Sequence, residues 1–346
     1  MSFRSIRSIP IVVYLGLILI PIWLAVDRLM DVTGKSPFTA IFSLSEHPLG
    51  TEAIYFSFVQ ALLSAILTLA IGLPIAWWLG RHQWKHLNII RAALTLPFVT
   101  PTIVAAMGFL ALIKTGGPIE SIGIDLRFES GFIGWLSDAT GIENSGHIIA
   151  LLMAHAWFNL ALVIRFVEPK IATIPPRFEE SIRLLPIGKT RFNRARYFWW
   201  PMLRTSIGSA FVFTFIFSFT SFALVRWLAP DMWTLEALMA IEGGAAGIPN
   251  YRTEASLLVL GGATLQGIVL LFALGLAGYW EQKKAISNDI VSESFARKTA
   301  GKPSPIARIG VALALSFALA PLISMLFSSI RIRDRTNESY RWSTEA

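Results

Sequence analysis

The sequence predicts an all-α membrane protein, a polytopic bundle of about seven transmembrane helices. Three observations carry that prediction. Only 15% of the 346 residues are charged and 54% are hydrophobic, where soluble domains carry about 25% charged residues. The mean hydropathy is +0.59. The apolar residues also come in unbroken blocks, with uncharged runs at 53–80, 92–113, 205–225, 255–280 and 309–330. Each exceeds the ~18 residues that mark a spanning helix, since ~20 residues at about 1.5 Å rise cross a hydrocarbon core of ~30 Å.

Two weaker runs, 9–26 and 147–167, complete the set. In the first, Ile11–Val26 ends at Asp27-Arg28 without a small-x-small cleavage pattern, so an uncleaved span is expected rather than a signal peptide. Span two is 53–80. Span three, 92–113, carries Pro97 and Pro101, whose freed carbonyls must be covered by neighbours or face a wet cavity. Span four places His155 and Asn159 four apart on one helix face. An ionisable residue in a span marks a functional candidate. The alternative, favoured here, is an interhelical hydrogen bond worth about 0.6–2 kcal/mol. Span five has a polar stretch in Ser218, Thr220 and Ser221. Pro97, Pro101, His155, Asn159, Ser218, Thr220 and Ser221 are the candidate lining of a pathway. In span six, Ala263/Gly267 and Ala273/Ala277 have helix-contact spacing.

Charge sets the expected orientation. With the N-terminus inside, twenty of the thirty Lys and Arg fall in cytoplasmic segments, nine of them between Arg165 and Arg204, and positive charge resists translocation. The basic tail from Arg331 to Arg341 falls outside and breaks the pattern. The net charge of +8 thus belongs to topology, and no nucleic-acid partner is expected. Zero cysteines exclude disulfides, thiolate metal sites and Cys nucleophiles. No metal site or cofactor is expected.

The cytoplasmic segment 170–204 has its own pattern. Ile174-Pro175-Pro176 ends span four. Arg177 to Leu185 suits a short helix with Glu179 and Glu180 in its first turn, where the helix dipole favours acids. Pro186-Ile187-Gly188 breaks it, and a second helix is expected from Thr190 to Trp200, with Pro201 opening the next span. An aromatic core of Phe192 and Phe198 inside a charged rim would make the pair a rigid knob. Such a hairpin either lies on anionic lipid or docks a cytoplasmic partner.

This segment resembles the signature loop of ABC importer permeases. Gly188 and Pro201 stand thirteen apart, and Trp200-Pro201-Met202-Leu203-Arg204 is similar to the loop's ending. Leu96-Pro97-Phe98-Val99-Thr100-Pro101-Thr102-Ile103-Val104, Ala154-His155-Ala156-Trp157-Phe158-Asn159-Leu160, Phe219-Thr220-Ser221-Phe222-Ala223 and Thr234-Leu235-Glu236 resemble the iron(III) and thiamine branch. One departure is that Glu179-Glu180-Ser181 lies about two residues too far from Gly188. The resemblance implies a type I importer permease in the bacterial inner membrane, working with a cytoplasmic ABC ATPase and an extracytoplasmic substrate-binding protein. It implies that Glu179, Glu180, Gly188, Phe192, Arg194 and Pro201 couple the chain to the ATPase. Iron(III) or thiamine is the implied solute.

Gly188-Lys189-Thr190 is no phosphate-binding loop, because the required glycine five positions earlier is Arg183. No His-Glu-x-x-His and no supported Ser/His/Asp set occurs, so an enzyme is not expected. An internal echo remains. Ile20-Pro21-Ile22 in the first span matches Ala320-Pro321-Leu322 in the seventh, and Gly50-Thr51-Glu52-Ala53 matches Ser343-Thr344-Glu345-Ala346. Residues 1–285 then read as one permease half with six spans, 286–307 as a linker, and 308–346 as the start of a truncated second half. On that reading the seventh span packs loosely, and the chain transports only with a second half or as a homodimer. The alternatives are a non-transporting remnant or assembly subunit and, less favoured, a secondary transporter.

Overall fold

The computed structural model describes residues 3–114, 117–126, 131–174, 176–245, 247–249, 251–288, 301–333 and 340–342. Most of the expected linker, 289–300, and the echo Ser343 to Ala346 lie outside them. Among the described residues six helices are long and apolar enough to cross a membrane, or seven if one bent pair counts as a span. Those residues are all-α apart from one antiparallel pair of three-residue strands, β1 (Arg331–Arg333) and β2 (Tyr340–Trp342), which the apolar runs gave no reason to expect. It divides into two compact units.

The first unit comprises 1–56 and 233–271. It holds α1 (Phe3–Thr33), α2 (Pro37–Ser43) and the start of α3 (Gly50–Arg81). α1 is an apolar helix with an exposed surface, Leu17 being 71% exposed, and its internal Pro21 does not end it. Ser36 caps α2, its hydroxyl accepting from the Thr39 N–H at 3.3 Å, with Pro37 in the first turn. Leu44, Ala53, Leu235, Leu238 and Leu258 form the core of this unit.

The second unit comprises 57–232 and 272–346. After α3 come α4 (Leu87–Val99), α5 (Thr102–Ile113), α6 (Phe132–Thr140), α7 (Ser145–Thr173) and α8 (Pro176–Leu184). Then follow α9 (Arg191–Arg194), α10 (Trp200–Phe219), α11 (Ala223–Leu228), α12 (Leu235–Ala245), α13 (Arg252–Asn288) and α14 (Pro305–Ser329). Of these, α12 and the start of α13 belong to the first unit. Its core is built on close approach. Gly72, Ala76 and Gly80 form a small-residue stripe on α3 that faces Val163 and Ile171 of α7, and a Cβ at Gly72 would lie 2.8 Å from the Val163 Cβ.

Four expectations change. Span three is not one helix, because α4 and α5 are bent by 99°. Pro101 forces the break, since the residue before it, Thr100, is driven into extended backbone (φ −69°, ψ 132°). Pro97 sits inside α4 without ending it. The helix from Arg191 runs on through Pro201 to Phe219 as one element. A π-helical turn, Ala195–Trp199, absorbs the proline. There the Trp200 N–H bonds to the Ala195 carbonyl, which widens the helix just where the ring of Pro201 would press on the carbonyl four residues back. In α13, a Cβ at Gly267 would meet nothing within 4 Å and Ala263 is exposed, while close approach falls at Gly261 against Ala40 and Gly262 against Met239. Ala273 and Ala277 do pack, against Val212.

The fourth change concerns α14, which is not loosely held. Val311, Ala314 and Ala318 share a core with Ile75, Leu79, Leu94, Leu160 and Ile164. The Trp157 indole N–H donates to the Ala318 carbonyl at 3.0 Å, and Lys114 donates to the Ser328 hydroxyl at 2.9 Å. A Cβ at Gly108 would lie 2.7 Å from the Pro321 carbonyl oxygen. Small residues on both sides let the backbones approach, so this helix is fixed by shape in a setting where lipid offers it no hydrophobic penalty.

Candidate functional site

Two sites within the second unit carry the polar chemistry. The first is the hairpin of α8 and α9. Glu179 stands in the first turn of α8 and is only 6% exposed. Its carboxylate bonds Arg81 from the end of α3 through one oxygen, and Arg183, one turn on, at 2.8 Å through the other. The bond and charge from Glu179 raise the Arg183 guanidinium above its ordinary value. Arg81 in turn lies over the rings of Trp77 and Trp199, 5.5 and 5.1 Å from their centroids, and those rings meet edge-on at 4.5 Å. A carboxylate buried between two guanidiniums therefore ties α8 to α3 and, through the indoles, to the root of α10.

Gly188 closes the corner. It is buried, its N–H donates to the Leu185 carbonyl at 2.9 Å, and a Cβ there would overlap the Ile182 carbonyl. Arg194 of α9 donates to the Gly188 carbonyl at 2.9 Å and to that of Lys189 at 3.4 Å. The Thr190 hydroxyl caps α9 by accepting from the Asn193 N–H at 3.1 Å. Of the expected coupling residues, Glu179, Gly188 and Arg194 thus build the corner, while Glu180 and Pro201 are exposed. Phe192 corrects the expected aromatic core, being 70% exposed. The aromatic packing is done by Phe198 and Trp199, buried against Val167, Ile171 and Ile174. The helical period decides this, since Phe192 and Phe198 are six apart and cannot share a face in a near-continuous helix.

The second site is a buried polar seam between α3, α7 and α10. His155 is 1% exposed, with its Nδ1 3.0 Å from the Ser64 hydroxyl. Asn159 reaches the Ser218 hydroxyl at 3.4 Å, and Gln60 donates to the Ser218 carbonyl at 2.8 Å. Among the described residues the Gln60 Oε1, His155 Nε2 and Asn159 Oδ1 atoms have no hydrogen-bond partner. The structure thus joins His155, Asn159 and Ser218. Pro97 and Pro101 have no side-chain donor to bond into the seam, Thr220 bonds its own helix at the Ile216 carbonyl, where α10 ends, and the Ser221 N–H donates to the Ser218 carbonyl at 3.3 Å. Two features escaped the sequence reading. Ser57, Gln60, Ser64 and Thr68, all buried, form a polar stripe at helical spacing on α3. Arg91 also grips Glu168 of α7 with bonds of 2.7 and 2.8 Å. The stripe was legible by its period. The pair, 77 residues apart, was not.

The chain is 29% identical over 188 residues to the thiamine transport system permease protein of Haemophilus influenzae, covering 53% of this chain and 32% of that one. It is 24% identical over 191 residues to the sulfate transport system permease protein of Salmonella typhimurium, covering 55% and 63%. It is 24% identical over 225 residues to the "probable molybdenum ABC transporter permease protein" of Haloferax volcanii, covering 65% and 75%. Its homologues are ABC transporter permeases. No family model matches the chain. The match spans less than two thirds of the length of the thiamine and sulfate relatives. Relatives named for three different solutes are consistent with a shared helical scaffold on which solute choice is a local matter.

Proposed function

We infer that this chain is the membrane-spanning subunit of an ATP-driven importer for a small solute, seated in the bacterial plasma membrane with its N-terminus in the cytoplasm. The observation that carries the reading is the corner at Glu179, Gly188 and Arg194. It makes the hairpin continuous in force with the spanning helices, so a push on α8 reaches α3 through Arg81 and α10 through Trp199. A separate cytoplasmic ABC ATPase supplies that push as a rigid-body motion. The exposed apolar residues Leu184 and Phe192 form the face it would meet. An extracytoplasmic binding protein delivers the solute, and a second permease half, or a second copy, completes the path. Of iron(III) and thiamine, thiamine stands in a relative's name.

In this reading the seam of Gln60, Ser64, His155, Asn159 and Ser218 is the polar surface that opens when α3, α7 and α10 move apart. Its unfilled acceptors are costly in a closed apolar bundle, which favours a part that opens to water or solute. The test is a reconstituted complex of this chain with its ATPase and binding protein. Gly188→Trp should leave insertion and ATPase copurification measurable but separate ATP hydrolysis from uptake. Labelling of a cysteine placed at Asn193 by an impermeant reagent from outside intact cells would overturn the reading.

A further inference from the structure

The second unit contains a cavity of about 790 Å³ beside the hairpin, in the size range of ligand pockets. Its lining changes character in order. At one end stand four arginines, Arg81, Arg183, Arg191 and Arg194, against one carboxylate, Glu179. That carboxylate is already shared by Arg81 and Arg183. The Arg191 side chain is exposed, and its guanidinium has no hydrogen bond or ion pair among the described residues. The middle is walled by the indoles of Trp77, Trp199 and Trp200, and the far end by Leu73, Leu203 and Ile207. Residues 73, 77 and 81 lie on one face of α3, and 200, 203 and 207 on one face of α10. The lining therefore passes from guanidinium to indole to aliphatic over about 12 Å of helix, at 1.5 Å per residue.

The geometry points to a binding site for the phosphate headgroup of an anionic phospholipid, with the start of its acyl chain along Leu203 and Ile207. Unpaired guanidinium at the aqueous end recognises a phosphodiester oxygen pair. Indoles sit at the depth where headgroup meets hydrocarbon, and the aliphatic end lies where a tail enters. Free phosphate has the same charge chemistry but no use for the indole and aliphatic walls. An acidic segment of a protein partner would be drawn to the exposed face of the hairpin, not down an apolar wall. The site requires that the chain spans a membrane, and it is independent of whether the hairpin meets an ATPase. A lipid held there would brace Arg191 and Arg194 against the spanning helices and so stiffen the hairpin.

The experiment is native mass spectrometry of the full chain released from detergent after equilibration with dioleoyl phosphatidylglycerol or dioleoyl phosphatidylcholine. Retention of phosphatidylglycerol over phosphatidylcholine is expected. Arg191→Gln should weaken it about tenfold, the effect of one lost charged hydrogen bond. Arg196→Gln, which removes a charge lying over Tyr197 and outside the cavity lining, should leave it unchanged. Ile207→Asp should weaken phosphatidylglycerol binding as well, which a site for free phosphate would not require. Three results would overturn the inference: equal retention of the two lipids, full displacement by millimolar inorganic phosphate, or equal loss from the Arg191 and Arg196 variants. Displacement of the lipid by an added acidic partner protein, with no lipid preference in the chain alone, would reassign the cavity to a protein interface.

Discussion

Replacing Gly188 by alanine should unlatch the hairpin while leaving the spanning bundle folded. The added Cβ would lie 2.5 Å from the Ile182 carbonyl carbon and 2.8 Å from the Ile182 Cγ2. Carbon atoms rest at about 3.5–4.0 Å, so the corner must open by about 1 Å. Most of the obstruction is backbone, which cannot turn aside as a flexible side chain can. Overpacking of this kind costs about 1–3 kcal/mol. Opening the corner also stretches the 2.9 Å bond from Gly188 to Leu185 and the 2.9 Å bond from Arg194 to Gly188, together worth about 2–4 kcal/mol with one partner charged. The local loss is therefore about 3–7 kcal/mol if both bonds are lost outright and nearer the lower end if they are only stretched, on the scale of sub-global opening rather than of the whole fold. Amide hydrogen exchange over 178–194 should accelerate by two orders of magnitude or more, with the exchange of α7 and α14 unchanged. Unaltered protection of α8 in the variant would refute the argument. Parallel acceleration of α7 would show that the corner belongs to the global core.

Three further outcomes follow from the packing. Glu168→Gln leaves Arg91 facing a neutral amide, and because Arg91 is one-third exposed the loss should be about 2 kcal/mol rather than the larger figure for a fully buried pair. Thermal unfolding in detergent should show it, with recovery in the Arg91→Met/Glu168→Leu double variant. In the seam, Gln60→Leu should cost more stability than Asn159→Leu, since the first removes a 2.8 Å bond to a carbonyl and the second a 3.4 Å bond; the reverse order would place the weight of the seam on Asn159. Gly108→Val should push α14 off Pro321 at a cost of about 2–3 kcal/mol, read as faster proteolysis or exchange confined to 305–329.

Much of this protein was set by the sequence alone, because a bilayer leaves the chain few options. Backbone groups in hydrocarbon must bond within a helix, so α3, α10, α13 and α14 stand where uncharged runs of twenty or more residues stand, and α7 stands on the weaker run 147–167. The hairpin was legible from Pro176, Gly188 and the acids of the first turn. The buried polarity of His155 and Asn159 was legible from their spacing. What depended on contact was not. Whether Pro97 or Pro101 breaks span three, and whether Pro201 ends a helix or is absorbed by a π-turn, turns on backbone geometry that proline identity does not specify. The closeness of α14 rests on Gly108 and Gly310 meeting Pro321 and Trp78, partners more than two hundred residues away. Glu179 looked like a helix-dipole residue, and only tertiary structure makes it the joint between Arg81 and Arg183. Periodicity places a side chain on a face of its own helix, but which helix that face meets is decided by complementary shape and charge across the fold.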